Sequence, residues 1–351
     1  MHAGPSEDAR VNQTFRKISF DSARRDADLI GELNAGWADQ GLHPDTFWLG
    51  YATSGSTAWH PGAPDPRESM SAFYTLFYGW TAANMDRLYQ LMSTQAQYWV
   101  DSWDTVQSTA RIPIWGYSEG IHNPRRPARD QSIPLPPPPE ADLKYQSDWA
   151  EKNAKRMALV TDATAENDEL FGLLYDNLKR AQWNRDNLEV FLSIALLYRQ
   201  NLDMLQGIAQ IHGILTSASS AAEKNQTKQA VQAMDLAVNV AQSIQIARNK
   251  VLYDTQLVWY KTWYPRVADA NGRKFLHEVD DVKDHLPDRT TDMSYLVYRE
   301  LWLPFDEWVR RVQSARNAYA AAHAIRTSDQ KFDWRDLTLL SAPEINRIAL
   351  E

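Results

Sequence analysis

The sequence has no cysteine in its 351 residues. That absence excludes disulfide bonds, metal sites built from thiolates and a cysteine nucleophile, and it leaves the cellular compartment open. Positive charge is also in short supply, because 37 Lys and Arg residues face 45 Asp and Glu residues and the formal net charge is −8. Since contacts to phosphates require clustered Lys and Arg, we expect no nucleic-acid partner.

Long apolar runs are missing as well. The run from Val190 to Leu197 is broken by Ser193, and it is far shorter than the roughly 20 residues that cross a bilayer, so we expect no membrane partner. The residues from Met1 to Asp8 carry no apolar segment typical of a secretory signal. The compartment is therefore unknown from the sequence, and it is periplasmic or extracellular if a signal peptide lies upstream in a longer protein.

The stretch from Gly31 to Trp59 carries the residues best suited to chemistry. Trp37 and Asp39 follow a short semi-apolar run and precede a polar loop that contains His43. One face of a sugar ring carries C–H bonds that stack on indole, and its rim of hydroxyls donates to carboxylates. Trp37 and Asp39 therefore suit a sugar site, although a core tryptophan beside a solvated aspartate explains the same pair.

Three segments of this stretch carry a family resemblance: Leu-Asn-Ala-Gly-Trp-Ala-Asp at 33–39, Phe-Trp at 47–48 and Ala-Trp at 58–59. They resemble the last strand, loop and helix of the catalytic barrel in family 20 of the glycoside hydrolases, the β-N-acetylhexosaminidases. In that family a Trp-x-Glu or Trp-x-Asp motif on the final strand lines the pocket for the terminal sugar. The helical remainder of the chain looks like the C-terminal extension of bacterial members.

The resemblance implies a role for four residues of this sequence. Trp37 would form a wall of the sugar pocket and Asp39 would accept hydrogen bonds from sugar hydroxyls, with His43 and Trp59 as further substrate-binding residues. The expected partner is an N-acetylhexosaminide, bound once an upstream part completes the barrel.

One departure from the family concerns the catalytic residues. The His-x-Gly-Gly-Asp-Glu segment that supplies the general acid is absent, and the Asp-Glu pairs at 168–169 and 306–307 have no preceding glycines. Because glycoside hydrolysis needs a positioned acid, we expect no catalytic residue in this chain and no activity from it alone. The reaction type implies no cofactor. The alternative hypothesis is a non-enzymatic helical bundle that binds a protein partner or a glycan, and a homodimer stays open.

The expected fold is mainly α. Residues 1–104 are expected to hold the last strand and helix units of a (β/α)8 barrel, and 105–146 a proline-rich connector. Residues 147–325 are expected to form a long antiparallel bundle, helical throughout, before a polar tail at 326–351. We expect the start of the chain, 1–30, to be polar and weakly patterned.

Helix ends and faces can be predicted within this scheme. Asp65 and Pro66 predict the start of a helix that stops at Gly79. A helix around Leu188 to Leu205 is apolar on nearly all sides, so we expect it in the middle of the bundle. Two further helices are expected, one from about Lys224 to Trp259 and one from about Leu301 to Tyr319 with a kink at Pro304.

One further group of residues has the side chains that bind a metal ion. His277, Asp281 and His285 would share one face of a continuous helix, and these residue types bind zinc and other divalent ions. A charged, solvated helix that ends before Pro287 explains the same pattern, so we expect no metal site.

Overall fold

The computed structural model describes residues 9–25, 43–61, 65–102, 135–259, 261, 267–270, 273–276 and 295–327. These residues are mainly helical, which confirms the predicted fold class at that level. The barrel strand predicted before Asp39, residues 105–134 of the connector and residues 328–351 of the tail lie outside the described residues, as do His277, Asp281 and His285.

The described residues of the N-terminal part form four helices: α1 (Ala9–Arg24), α2 (Trp48–Trp59), α3 (Pro66–Tyr78) and α4 (Met85–Ser102). A 3-10 turn, Pro44–Phe47, leads into α2. Helix α1 corrects the expectation of a weakly patterned start, since 16 residues there form a regular helix. It packs against α2 and α3.

The ends of α3 confirm the predicted capping residues. The Asp65 carboxylate accepts a hydrogen bond from the Arg67 backbone N–H at 2.9 Å, and Pro66 is the first helical residue. Gly79 ends the helix with a φ of +96°, a conformation in which a side chain is strained.

In the C-terminal part, the residues that the structure describes form a short helix, α5 (Trp149–Lys152), and four long helices, α6 (Ala154–Arg180), α7 (Arg185–Glu223), α8 (Thr227–Trp259) and α9 (Tyr295–Ala322). Helix α7 contacts α4, α6 and α8, which confirms the central helix expected there. Gly207 of α7 faces the Ile244 side chain, so the two longest helices approach closely. Helix α9 continues through Pro304, and the kink stays a prediction.

A β-hairpin corrects the expectation that the chain is helical throughout 147–325. Strand β1 (Val267–Ala270) pairs antiparallel with β2 (Arg273–Leu276), with Val267 opposite Leu276. The two residues between the strands in sequence are Asn271 and Gly272, the dipeptide preferred in two-residue hairpin loops. That sequence signal was sufficient to predict the hairpin.

The last 12 residues of the connector, 135–146, lie along the bundle. The Trp308 indole N–H donates to the Pro136 carbonyl at 2.7 Å, and the Tyr145 backbone N–H donates to the Ser219 hydroxyl at 3.2 Å. Leu143 is buried and adopts a φ of +63°. These contacts fix the connector to α7 and α9.

A buried ion pair joins helices α8 and α9. The Arg248 guanidinium donates to both carboxylate oxygens of Asp306, at 2.8 and 3.2 Å, and the Gln245 amide donates to the same carboxylate at 2.7 Å. Such a pair contributes little net stability, but losing one partner leaves a buried charge uncompensated. It therefore fixes which residues of α8 and α9 lie opposite each other.

Candidate functional site

The structure describes two of the four residues predicted to bind sugar. Trp37 and Asp39 lie outside the described residues, and their roles stay predictions. His43 lies directly before the 3-10 turn, and Trp59 is the last residue of α2. The two have opposite surroundings, because the His43 side chain is fully buried whereas Trp59 is 84% exposed.

Both ring nitrogens of His43 are used within the protein. Its Nδ1 accepts a hydrogen bond from the Asp45 backbone N–H at 3.3 Å, so Nε2 carries the proton and donates to the Trp259 carbonyl at 3.3 Å. The Trp259 ring lies edge-on at 5.2 Å, and its indole N–H donates to the Ser193 hydroxyl at 2.7 Å. His43 thus joins the start of α2 to the end of α8.

Burial also affects the protonation of His43. Desolvation lowers its pKa from the ordinary value, and this effect outweighs the Asp45 carboxylate and the hydrogen bond to Trp259, which both favour the charged form. A neutral, buried histidine with both nitrogens hydrogen-bonded holds the structure together. Its predicted contact with sugar stays a prediction.

A chain of buried polar groups extends from the same turn. Asn187 of α7 donates through its amide to the Asp45 carbonyl at 2.7 Å and accepts a hydrogen bond from the Tyr78 hydroxyl. The Tyr78 oxygen also lies 2.7 Å from the Tyr89 hydroxyl. These bonds fix the 3-10 turn, α3 and α4 to the central helix.

Helix α2 presents the reverse of the usual amphipathic arrangement. Its buried residues are Leu49, Thr53, Ser54 and Thr57. Its solvent-facing residues, here named the outer face of α2, are Trp48, Tyr51, Ala52, Gly55, Ala58 and Trp59. Hydroxyl groups therefore face the protein interior while aromatic rings face water. A buried polar face and an exposed apolar one are both informative departures from ordinary helix packing.

The outer face is ordered at the end where α2 begins. The Trp48 indole N–H donates to the Asp45 carboxylate at 3.1 Å, and the ring contacts Tyr51 at 6.4 Å and Phe77 at 6.0 Å between centroids. Farther along, a side chain at Gly55 would meet no atom within 4 Å. The segment Trp48–Trp59 carries no charged residue. The outer face is thus an apolar, uncharged surface with aromatic residues at both ends and small residues between them.

The outer face was not predicted as a functional surface. The spacing of Phe47, Tyr51, Gly55 and Trp59 indicates a helix, but spacing alone does not reveal which side faces the protein. Thr53, Ser54 and Thr57 were the available signal, since three hydroxyl residues on one side leave the aromatic residues on the other.

Other potential sites were sought in the part of the chain that the structure describes. There, no group of three or more His, Asp or Glu residues is arranged to hold a metal ion. No helix among the described residues is long and apolar enough to cross a membrane. A shallow depression of about 700 Å³ lies on α3, but one helix alone lines it.

The chain was also compared with known proteins. No family model, no curated protein and no solved structure matches it.

Proposed function

We propose that this chain is the C-terminal part of a glycoside hydrolase similar to the β-N-acetylhexosaminidases of family 20, and that the outer face of α2 packs against the rest of the catalytic barrel. Trp37 and Asp39 would bind the terminal N-acetylhexosamine. The general acid would come from the upstream part of the barrel.

The observation that carries this proposal is the outer face of α2. Exposed apolar patches of this kind mark surfaces that another surface covers in the working protein. In a (β/α)8 barrel every helix turns one face toward the sheet, and that face is apolar. Ala52 and Gly55 leave room for a sheet to come close, while the rings of Trp48 and Tyr51 supply the area to bury.

The same geometry limits what Trp59 can do in such a barrel. A helix that follows a barrel strand starts at the end where the active site lies. Trp59 is 11 residues after Trp48, and at 1.5 Å per residue it lies roughly 16 Å farther from that end. The proposal therefore assigns Trp59 to packing against the barrel, and assigns sugar binding to Trp37 and Asp39.

The test compares the protein isolated from its source cells with the recombinant 351-residue chain. Hydroxyl-radical footprinting measures how fast each exposed tryptophan is oxidised. We expect Trp48 and Trp59 to be oxidised more slowly in the native protein, because the barrel covers them. Trp183, which is 55% exposed on a different surface, is the matched control and should be oxidised equally in both samples.

Hydrolysis of an aryl N-acetyl-β-glucosaminide completes the test. The native protein should release the aryl group and the recombinant chain should not, since the acid is absent from it. Equal oxidation of Trp48 and Trp59 in both samples would contradict the proposal, and so would hydrolysis by the recombinant chain that depends on one of its own residues.

A second candidate is a non-enzymatic helical protein that binds a protein partner through the same outer face. The exposed, uncharged face favours this candidate as well, because partner surfaces are apolar at their centre. The two candidates predict different results. Protection of Trp48 and Trp59 in a native protein that hydrolyses no aryl glycoside would support the binding protein and reject the glycosidase.

A further inference from the structure

Two exposed tryptophans lie on neighbouring loops at one end of the bundle. Trp80 follows α3 and is 77% exposed, and Trp183 lies in the turn between α6 and α7 and is 55% exposed. The tryptophan side chains that the structure describes in the bundle helices behave differently, since Trp149, Trp259 and Trp308 are all buried. Burial is therefore the rule for this residue in the bundle, and the two loop tryptophans are exceptions to it.

The two loops are fastened to each other by hydrogen bonds. The Gln182 backbone N–H donates to the Tyr78 carbonyl at 2.8 Å, and the Trp80 backbone N–H donates to the Gln182 side-chain oxygen at 3.2 Å. The Asn184 amide donates to the Phe77 carbonyl at 2.7 Å. Nearby, Asn177 and the backbone of Ala83 exchange two hydrogen bonds, each of 2.8 Å.

Gly79 shows how closely the loops fit. Its φ of +96° suits glycine, and a side-chain carbon at this position would overlap with Gln182. The backbone on either side of both tryptophans is thus held in one arrangement. A rigid, exposed aromatic residue loses little conformational entropy when it binds a ligand, which favours a binding surface over an incidental exposure.

The groups around the tryptophans indicate an uncharged ligand. Neither loop, 79–84 or 181–184, contains a charged residue. Of the charged residues that flank the second loop, Arg180 is paired with Asp176 at 2.7 Å and Arg185 lies 3.9 Å from Glu189, while Asp186 is exposed. The polar side chains of the loops themselves are neutral, and two of them are the amides of the second loop. Gln182 uses its side-chain oxygen within the protein, which leaves its amide nitrogen to donate outward, and Asn184 likewise keeps its side-chain oxygen to accept.

We propose that Trp80 and Trp183 form a carbohydrate-binding surface that takes neutral sugar rings of an oligosaccharide. The faces of the indoles stack on the C–H faces of the rings, and Gln182 and Asn184 bind the hydroxyls at their rim. This surface lies outside the sugar pocket predicted around Trp37, and the proposal does not rest on the chain being part of a glycosidase.

The test measures binding of three neutral hexasaccharides by isothermal titration calorimetry. They are the β-1,4-linked oligomers of N-acetylglucosamine, glucose and xylose. We expect at least one to bind with a Kd below about 1 mM. Trp80→Ala and Trp183→Ala should each weaken binding by about tenfold. Tyr253→Ala is the matched control, because Tyr253 is an exposed aromatic residue on α8 and should leave the Kd unchanged.

Two further variants, Trp80→Phe and the double variant that combines Trp80→Ala with Trp183→Ala, make the outcome unambiguous. Trp80→Phe keeps an aromatic face and should retain part of the affinity, and equal melting temperatures show that the variants fold. The absence of binding for all three hexasaccharides would overturn the proposal. Binding that survives in the double variant but is lost in Trp37→Ala would also overturn it, and would place the sugar in the pocket of the proposed glycosidase.

Discussion

Helices α2 and α7 differ in the kind of residue that each of them buries. More than half of the 39 residues of α7 are buried by neighbours within the described chain, and one stripe along the helix is exposed or half-buried. In α2 the buried side is formed largely by hydroxyl residues, and the aromatic rings face solvent. The apolar residues of α7 are covered by other helices of the same chain. The outer face of α2 is as apolar as a buried surface, yet it is exposed to solvent.

Because of this difference, we expect the residues that stabilise the fold and the residues that bind another surface to lie on different helices. Burial of apolar area drives folding, so residues of α7 should determine whether the chain folds. Residues on the outer face of α2 add little to the folding of the chain alone. Their apolar composition is explained by the surface that we propose covers them. Substitutions in the two helices can therefore test this division directly.

The largest effect is expected from Phe191→Ala in α7. Phe191 is fully buried and contacts the Tyr89 ring at 5.4 Å. Loss of its ring leaves a cavity and should lower the free energy of unfolding by about 3–5 kcal/mol. Trp59→Ala removes a larger side chain but should change that free energy by no more than about 0.5 kcal/mol, since the ring is exposed. Urea denaturation followed by circular dichroism measures both, and equal losses would show that the outer face supports the chain itself.

A smaller effect is expected from the pH dependence of His43, which anchors the start of α2. Its pKa in the folded protein is lowered by burial, so the unfolded chain binds more protons. Stability should be fully present above pH 6.5, the ordinary value, and should be lost as the pH falls from there toward the folded pKa. The slope is at most about 1.4 kcal/mol per pH unit.

Unfolding measured from pH 5 to 8, a range of ordinary histidine titration, tests this expectation. The slope should be smaller in His43→Gln. In His212→Gln the contribution of His43 should persist, because His212 has its own, separately lowered pKa. An unchanged slope in His43→Gln would mean that the burial of this ring has no energetic consequence.

The smallest effect is expected on the buried side of α2. The Thr53 hydroxyl is buried without a hydrogen-bond partner among the described residues, whereas the Thr57 hydroxyl donates to the Ser54 carbonyl at 3.0 Å. Thr53→Val should therefore raise the free energy of unfolding by about 1 kcal/mol, and Thr57→Val should not raise it. Thermal unfolding compares the two. A stabilising effect of equal size in both variants would mean that general hydrophobicity, and not the unpaired hydroxyl, governs this side.

Much of the bundle could be predicted from the sequence because local signals agree with the packing. The apolar residues on nearly all sides of α7 between Leu188 and Leu205 predict its central place, and Asp65, Pro66 and Gly79 mark the ends of α3. Helix α1 was missed because its apolar residues are few and widely spaced among polar ones. The β-hairpin was missed because its short strands lie between long helices, although Asn271 and Gly272 indicate the turn.

The candidate site was harder to predict, because its determinants are not local. His43 stands in a polar loop, where a histidine commonly faces solvent, yet Trp259 covers it from the far end of the chain. The aromatic residues of α2 have helical spacing whichever way the helix is turned. Only the packing of the hydroxyl residues against the other helices shows that Trp48 and Trp59 face outward. The glycosidase resemblance itself stays a prediction.

The hydrogen bond between His43 and Trp259 has a consequence for the time course of synthesis. It joins residues 216 positions apart. At the usual pace of translation, about 5–20 residues per second, the ribosome needs on the order of 10–40 s to make the chain between them. During that interval the start of α2 lacks its anchor, and Phe47 and Leu49, which are buried in the folded protein, lack their final packing. A nascent chain of this protein is therefore expected to depend on holding chaperones until α8 has emerged.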